Sequence, residues 1–522
     1  MKKQFKMGIA ALALGVMPLV TACPGARGGS LILWSSFGSS YTTALTTLVE
    51  RYMEQHPEIQ IDNQSQGSYK QIQTNIMNSI STSSYPNFAN GYPDHFAGYI
   101  KSGIQLGLDE YIEQWDSEHQ DWLAEKGYTS IVDDYYPEYM DENKNLLFHT
   151  DGTPYIVGLP FNKSTEVLGY NGFMFDYLKS VDSSVTKIPE TWAEWATFGP
   201  KLRAIMFTGT NALAGKYLYG RQTAQGDASD FTVVANKADA PTGEGIELLL
   251  DCSKVDAEHF RVLSWDALDN MFITLVRQWG GQYTSYTAED MKSPQHGWFT
   301  AWDATNKDKT KAALQEIKTL HDAGIFGVPS EMTDDSYASS AFTNNMCFAM
   351  SCSSGGLSYN IKNGIRLRLS TVPYKDNDKK YVISQGTNLA LFDQGDEDTK
   401  KLAFTSMVDF TRDDLQAQWA IETGYFPATK SAYSTTEYQN HLKATYDNTQ
   451  PQLRAYQEVA TLNAQIYTKE GTGWSKFVDP GFVGSSTIRE EVEPIVAAVC
   501  AGEKTIDAVM AEVVGRLSKY IK

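Results

Sequence analysis

Side chains able to hold a polar ligand fall in five short stretches of this chain. Trp34-Ser35-Ser36, Gly67-Ser68-Tyr69 and Tyr92-Pro93-Asp94 each set an aromatic ring beside small polar groups or a carboxylate. Asn162-Lys163-Ser164-Thr165-Glu166 is a polar centre between two apolar runs. Ser353-Ser354-Gly355-Gly356 is a small-residue loop that can turn backbone N–H groups toward a ligand. What these residues offer is hydrogen bonding and stacking. Bond-breaking chemistry lacks its parts, because the chain has no His-Glu-x-x-His and no Gly-x-Ser-x-Gly. Glycoside hydrolysis needs two carboxyls at a set separation, and only Asp94 has a position that suggests one. Gly209 to Lys216 approaches a phosphate-binding loop, but the spacing is one residue too long and Tyr217 stands where Ser or Thr is required. Cys347 and Cys352 have no neighbouring His, which argues against zinc. With Cys252 and Cys500 they read as buried thiols, and whether Cys347 and Cys352 pair is left open.

These stretches need elements to position them. Leu31-Ile32-Leu33-Trp34 has strand character, and Leu45, Leu48, Val49, Tyr52 and Met53 follow at helical spacing until Pro57. Ile59 and Ile61 alternate as a second strand, completing a β-α-β unit and pointing to a parallel sheet. Ile72, Ile76 and Ile80 mark the next helix, and Phe88 to Tyr92 a third strand. In such sheets ligands bind beyond the carboxyl ends of the strands, where the first three polar stretches lie. Pro160 removes a donor and fixes φ, so 158–171 is extended rather than helical. It passes from one structural unit to another with its polar centre where the two meet, and clefts between domains are favoured ligand sites.

Further along, Thr191-Trp192-Ala193-Glu194 is a capping box opening a helix. Ala313, Leu314, Ile317 and Leu320 define a helix stopped at Gly324. Val382 to Phe392 is a polar turn running into a strand, 399–413 a helix, and Val509, Val513, Leu517 and Ile521 a last helix. Residues 205–262, rich in Thr, Ala, Gly and Asp, yield no readable element.

The length of 522 residues suffices for two or three domains, and 42% hydrophobic with 20% charged residues indicates a folded chain with a sizeable core. A net charge of −19 argues against nucleic acid or acidic membrane surfaces as partners. Lys2, Lys3 and Lys6 precede an apolar run from Met7 to Val20, which makes residues 1–22 a secretory signal, too short to span a membrane as a helix. Val20-Thr21-Ala22-Cys23 is similar to a bacterial lipobox. It predicts cleavage before Cys23 and lipid on its sulfur, which holds the protein on the extracytoplasmic face of the cell membrane. Residues 23–30 then serve as a flexible tether.

Pro160-Phe161-Asn162-Lys163-Ser164-Thr165-Glu166-Val167-Leu168, followed by Tyr170-Asn171, resembles the interlobe segment of the extracellular solute-binding proteins of ABC importers. The closest resemblance is to the sugar- and glycerol-3-phosphate-binding branch. The other segments follow in that family's order from Leu31 to the C-terminus, with 205–262 outside it as an insertion. The resemblance implies an α/β fold of the type II, venus-flytrap kind: two lobes, a hinge and an interlobe cleft that closes on its ligand. It implies chain crossings near 163–170, 385 and 430. Lobe 1 then comprises 31–162 and 385–430, and lobe 2 comprises 163–384 and 431–522. By motif position the ligand residues are Tyr69, Asp94, Ser164, Trp265, Ser354, Gly386, Tyr425 and Arg489. Pro93 shifts the acidic position by one, and the Trp region is offset by about two residues. Also implied are a monomer without cofactor or reaction and a permease in the membrane that receives the solute.

A polyol or sugar offers many hydroxyls and weakly apolar C–H faces. Tyr and Trp match the faces, a carboxylate such as Asp94 accepts two hydroxyl bonds, and a glycine such as Gly386 lets backbone come close. Arg489 separates ligand classes. It can grip a phosphate in bidentate fashion, or pair with Glu490 or Glu493 on its own helix. Sugar, oligosaccharide and glycerol phosphate remain open as ligands. A secreted glycoside-processing enzyme and a surface adhesin or sensor on a reused fold remain as alternatives.

Overall fold

The computed structural model describes residues 30–287, 289–290, 296–333 and 337–522. The signal segment, Cys23 and the tether up to residue 29 lie outside the described residues. The strands are β1 (Ser30–Ser35), β2 (Gln60–Ser65), β3 (Phe88–Gly91), β4 (Leu159–Asn171), β5 (Tyr217–Gln222), β6 (Ala228–Val234), β7 (Ile246–Asp251), β8 (Arg261–Trp265), β9 (Thr284–Ser285), β10 (Trp298–Phe299), β11 (Cys347–Ser353), β12 (Leu367–Ser370), β13 (Lys380–Leu391) and β14 (Trp474–Phe477). Nine of them share one sheet in the order β2-β1-β3-β13-β4-β11-β8, with β12 on β4 and β14 on β13. β1 runs parallel to both β2 and β3, as the β-α-β pattern requires.

Two long antiparallel strands carry this sheet from one lobe to the other. Leu159–Thr165 of β4 pairs with β13, whereas Glu166–Tyr170 pairs with β11. β13 in turn pairs with β3 through Asn388–Leu391 and with β14 through Lys380–Ile383. The β4–β13 register slips between Thr387 and Asn388, opposite Pro160–Asn162. Pro160 has no N–H to give the ladder, so the irregularity falls where a donor is missing. Two core clusters fill the protein, the larger of them reaching into the first lobe through Ile72, Phe96 and Tyr99. Leu31, Leu45, Tyr52, Phe88, Phe404 and Met407 belong to one cluster, and Leu168, Phe173, Trp192, Trp265, Leu314 and Val496 to a larger one.

Local signals hold where burial is one-sided. Ser68 accepts from the Gln71 N–H and opens the helix Tyr69–Ser79 with Ile72 and Ile76 buried. Thr191 and Glu194 form the expected capping box of the helix Trp192–Phe207. The region read as one helix near 399–413 is two, Glu397–Phe410 and Asp413–Thr423. At the break, the Thr411 hydroxyl bonds back to the Val408 carbonyl at 2.8 Å. The C-terminal helix is shorter than its periodicity suggests and ends at Arg516. A 3₁₀ turn, Ser518–Tyr520, follows, with the Tyr520 ring in the space left by the absent side chain of Gly484.

Within 205–262, β6-β5-β7 form a separate antiparallel sheet. It docks on the helix Gly172–Val181, where Phe231 meets Tyr177 at 5.5 Å and the Ala228 N–H bonds Asp176 at 3.0 Å. β6 and β7 are exposed on both faces over much of their length, so no clean alternation marks them. The helices Lys430–Ser434 and Thr436–Lys443 pack on Asp413–Thr423 through Ala417, Ala420, Ala432 and Tyr438. Cys252, Cys347, Cys352 and Cys500 are all buried and unpaired. Among the described residues no helix is long and apolar enough to cross a membrane.

Candidate functional site

A cavity of about 390 Å³ lies between the lobes where β4 and β13 cross. Tyr69, Tyr92, Asp94, His95 and Glu142 line it from one side, Ser384-Gln385-Gly386 of β13 form its floor, and Asp269, Asn270, Asp479 and Arg489 close the other side. The lobes touch around it: Lys70 pairs with Glu490 at 3.0 Å, and the Tyr41 hydroxyl donates to the Gly355 carbonyl. A wider hollow of about 1200 Å³ elsewhere, around Arg51, Asp413 and Thr435, contains none of these residues.

Four of the eight residues implied by the sequence line the cavity: Tyr69, Asp94, Gly386 and Arg489. Tyr69 starts its helix at the carboxyl end of β2, and its ring meets Tyr92 edge-on at 5.0 Å. Burial, with the neighbouring Tyr92, pushes its phenol pKa well up, so it serves as a neutral donor. Asp94 sits in the first turn of the helix Pro93–Lys101. Gly386 has φ of +105°, and a Cβ there would fall 1.9 Å from the Asn162 carbonyl oxygen. Glycine is therefore demanded by the β4 backbone as much as by any ligand.

The other four stand behind the wall. Tyr425 hydrogen-bonds Tyr69 and stacks on Trp419 at 6.0 Å and 2°. Its ring occupies the space a Gly355 side chain would fill. The Ser354 hydroxyl, fully buried, accepts from the Thr165 N–H at 3.2 Å. Ser164 is buried in β4 opposite Gln385. Trp265 is fully buried, stacks near Trp192 at 6.1 Å, and donates its Nε1–H to Glu166 Oε1 at 2.9 Å.

Through Glu166, Trp265 is linked to the cavity. Glu166 Oε1 also accepts from Asn270 Nδ2 at 3.3 Å, and Asn270 Oδ1 accepts from Arg489 Nη1 and Nη2 at 3.1 and 2.8 Å. Arg489 lies 3.4 Å from Asp269 and 3.9 Å from Asp479. Burial opposes its charge, but Asp269 and Asp479 outweigh that and hold its pKa above the usual arginine value. Burial pushes Asp479 up to about 7, with Arg489 opposing and Asp94 and Asp269 adding to the rise. Burial likewise pushes Glu166 up to about 8. His95 is driven down by burial and is uncharged at neutral pH. Beneath the floor, Lys163 forms a buried ion pair with Glu142 and donates to the Gly386 carbonyl at 3.0 Å. Among the described residues no cluster could hold a metal ion.

Sequence reasoning placed Tyr92 in a candidate stretch without assigning it to the ligand, and missed Glu142, Asp269, Asn270, Gln385 and Asp479. Tyr92 and Gln385 adjoin residues that it singled out. Asp479 is followed by Pro480-Gly481, which reads only as a turn, and Asp269, Asn270 and Glu142 carry no local signal at all.

Two α/β lobes joined by paired crossing strands, with a polar cavity between them, define a two-lobed binding-protein fold. Its sequence matches the bacterial extracellular solute-binding proteins over residues 47–445, and the chain belongs to that family. It is similar to the sn-glycerol-3-phosphate-binding periplasmic protein UgpB of Escherichia coli O1:K1, 22% identical over 84% of this chain and 82% of that protein. The match to UgpB of Yersinia enterocolitica is 23% identical over 56% of this chain and spans about half of that protein, 53%. Among solved structures, the GacH receptor of Streptomyces glaucescens, determined unliganded and with acarbose, aligns with TM-score 0.62 at 13% identity over 95% of this chain and 98% of its own. UgpB of Mycobacterium tuberculosis in complex with glycerophosphocholine gives 0.62 at 15%, over 94% and 98%. At these identities the structural matches speak to the fold alone. The chain is a solute-binding protein and not an enzyme.

Proposed function

We propose that this protein captures a carbohydrate-type solute in the interlobe cavity by closing its lobes, and delivers it to the membrane subunits of an ABC importer. Sugars, oligosaccharides and glycerol-phosphate compounds make up the ligand class. One observation carries the reading: Tyr69, Asp94, Gly386 and Arg489, from four distant parts of the chain, converge on one cavity between the lobes. The curated relatives, named for sn-glycerol-3-phosphate binding, support the class. In this reading lipid on Cys23 holds a monomer at the extracytoplasmic face. One lobe comprises 31–162 and the chain after 385. Because the helices up to Lys443 pack on Asp413–Thr423, we place the last crossing between Lys443 and Pro451 rather than at 430. Ser164, Trp265, Ser354 and Tyr425 act as supports that hold the lining residues in place.

The test is a thermal-shift series on residues 24–522 with saccharides, glycerol 3-phosphate and glycerophosphodiesters. At least one class raises the melting temperature in step with the logarithm of its concentration, and Tyr69→Ala weakens that response while keeping the ligand-free melt. A flat response to every class defeats the proposal.

A further inference from the structure

Resting on that reading, we propose that the cleft selects an uncharged carbohydrate and rejects phosphorylated ligands. Asp94, Asp269 and Asp479 are the selecting residues, and Arg489 is their internal counter-ion.

The guanidinium that a phosphate would need is already engaged. Both terminal nitrogens of Arg489 donate to Asn270 Oδ1, at 3.1 and 2.8 Å, and Asp269 stands 3.4 Å away. The amide orientation is not free to change. Asn270 Nδ2 donates to Glu166 Oε1, which Trp265 Nε1–H holds from the other side, so Oδ1 must face Arg489. Residues far behind the wall thus fix the acceptor that occupies the arginine.

Charge points the same way. Asp94, Glu142, Asp269 and Asp479 line the cavity against one arginine. The buried Lys163 answers Glu142, which leaves Asp94, Asp269 and a partly protonated Asp479 facing Arg489, still more negative charge than one guanidinium balances. His95 adds no positive charge, because burial keeps it neutral. The N-terminus of the helix Pro93–Lys101 would attract an anion, but Asp94 sits in its first turn. A phosphate monoester carries a charge of roughly −1.5 to −2 at neutral pH and would enter a cavity whose charge is already negative.

The unmet hydrogen bonds agree. Ser384 and Gln385 are among the lining residues, and Gln385 Oε1 and Ser384 Oγ are buried without a protein partner. With the carboxylates Asp94, Asp269 and Asp479 beside it, the Gln385 amide oxygen adds to a lining rich in acceptors. A sugar hydroxyl can donate to the Gln385 amide oxygen and to the carboxylates, whereas a phosphate dianion offers only acceptors of its own.

The experiment compares wild type with Asp269→Asn/Asp479→Asn by thermal shift and calorimetry, using neutral mono- to tetrasaccharides and sn-glycerol 3-phosphate as probes. In the wild type a neutral saccharide binds, and glycerol 3-phosphate binds roughly a hundredfold more weakly or not at all, as expected for like charges brought together. The double variant gains affinity for glycerol 3-phosphate. If it does not fold, the single Asp479→Asn variant takes its place. Wild type that binds glycerol 3-phosphate as tightly as its best saccharide overturns the proposal, and so does a folded variant without that gain. If nothing binds the wild type, the carbohydrate reading fails instead. The selection by charge is then still judged by the variant's gain of phosphate binding.

Discussion

The ion pair of Lys163 and Glu142 sits where the two crossing strands exchange lobes, and removing half of it should show what it does. Both side chains are buried, at 0% and 3% exposure. Lys163 Nζ also donates to the Gly386 carbonyl at 3.0 Å, and Asn388 Nδ2 donates to Glu142 Oε1 at 2.7 Å. Burial lowers the lysine's pKa and Glu142 opposes that, so the lysine's charge depends on its partner. Lys163→Met keeps the length of the stem and deletes the ammonium. Glu142 is then left as an uncompensated buried carboxylate, which costs about 3–5 kcal/mol. Lys163→Met/Glu142→Gln removes both charges. It should recover most of the loss, because a buried pair replaced on both sides is nearly neutral whereas a broken one is not. Equilibrium urea unfolding of the ligand-free protein at neutral pH, followed by tryptophan fluorescence, measures both. The reasoning is refuted if the single variant loses less than about 1 kcal/mol, since this is below any broken buried pair. It is also refuted if the double variant is no more stable than the single one.

Two further outcomes follow from the same crossing and the cavity beside it. Gly386→Ala must keep φ at +105° with a Cβ only 1.9 Å from the Asn162 carbonyl oxygen. Backbone cannot yield as a side chain can, so the loss should exceed about 3 kcal/mol, and an unchanged melting temperature would disprove it. The pH dependence follows from Asp479, pushed up to about 7, and Glu166, pushed up to about 8, both chiefly by burial. Their carboxyls hold protons more tightly in the folded protein than in the unfolded chain. Their contribution is therefore complete at low pH and lost as pH rises through those values. The ligand-free protein should melt at a higher temperature near pH 5 than near pH 8, with a shallower slope between pH 5 and 7 in Asp479→Asn. A wild-type melt that rises across that range contradicts the assignment.

How much of this was legible varies with the range of the interaction. The Thr191–Glu194 capping box and the helix of Ile72 and Ile76 are settled by neighbours within a few residues, and both can be read from the chain. The β1–β2–β3 unit follows from short alternating runs joined by a helix, and Pro160 marks the irregular point of β4 by what it lacks. Residues 205–262 stay unreadable because β6 and the first half of β7 face solvent on both sides, where no period distinguishes strand from loop. Asp269, Asn270 and Glu142 carry no signal for a related reason. Asn270 meets Arg489 and Glu166 across 219 and 104 positions, Glu142 meets Lys163 across 21, and Asp269 is likewise brought to Arg489 only by the fold.

The chain by itself therefore determined a β-α-β start and a polar crossing segment, and the family resemblance carried by its motifs implied two lobes and named four of the residues that line the cavity. The other four, Ser164, Trp265, Ser354 and Tyr425, lie behind the cavity wall. Whether Trp265 touches a ligand or holds Glu166 depends on which layer packs over it. Whether Arg489 is free or engaged depends on Asn270 and Asp269, brought to it by the fold. Spacing records which side chains are available, but electrostatic and hydrogen-bond partnership depends on distance in space, and only folding sets that.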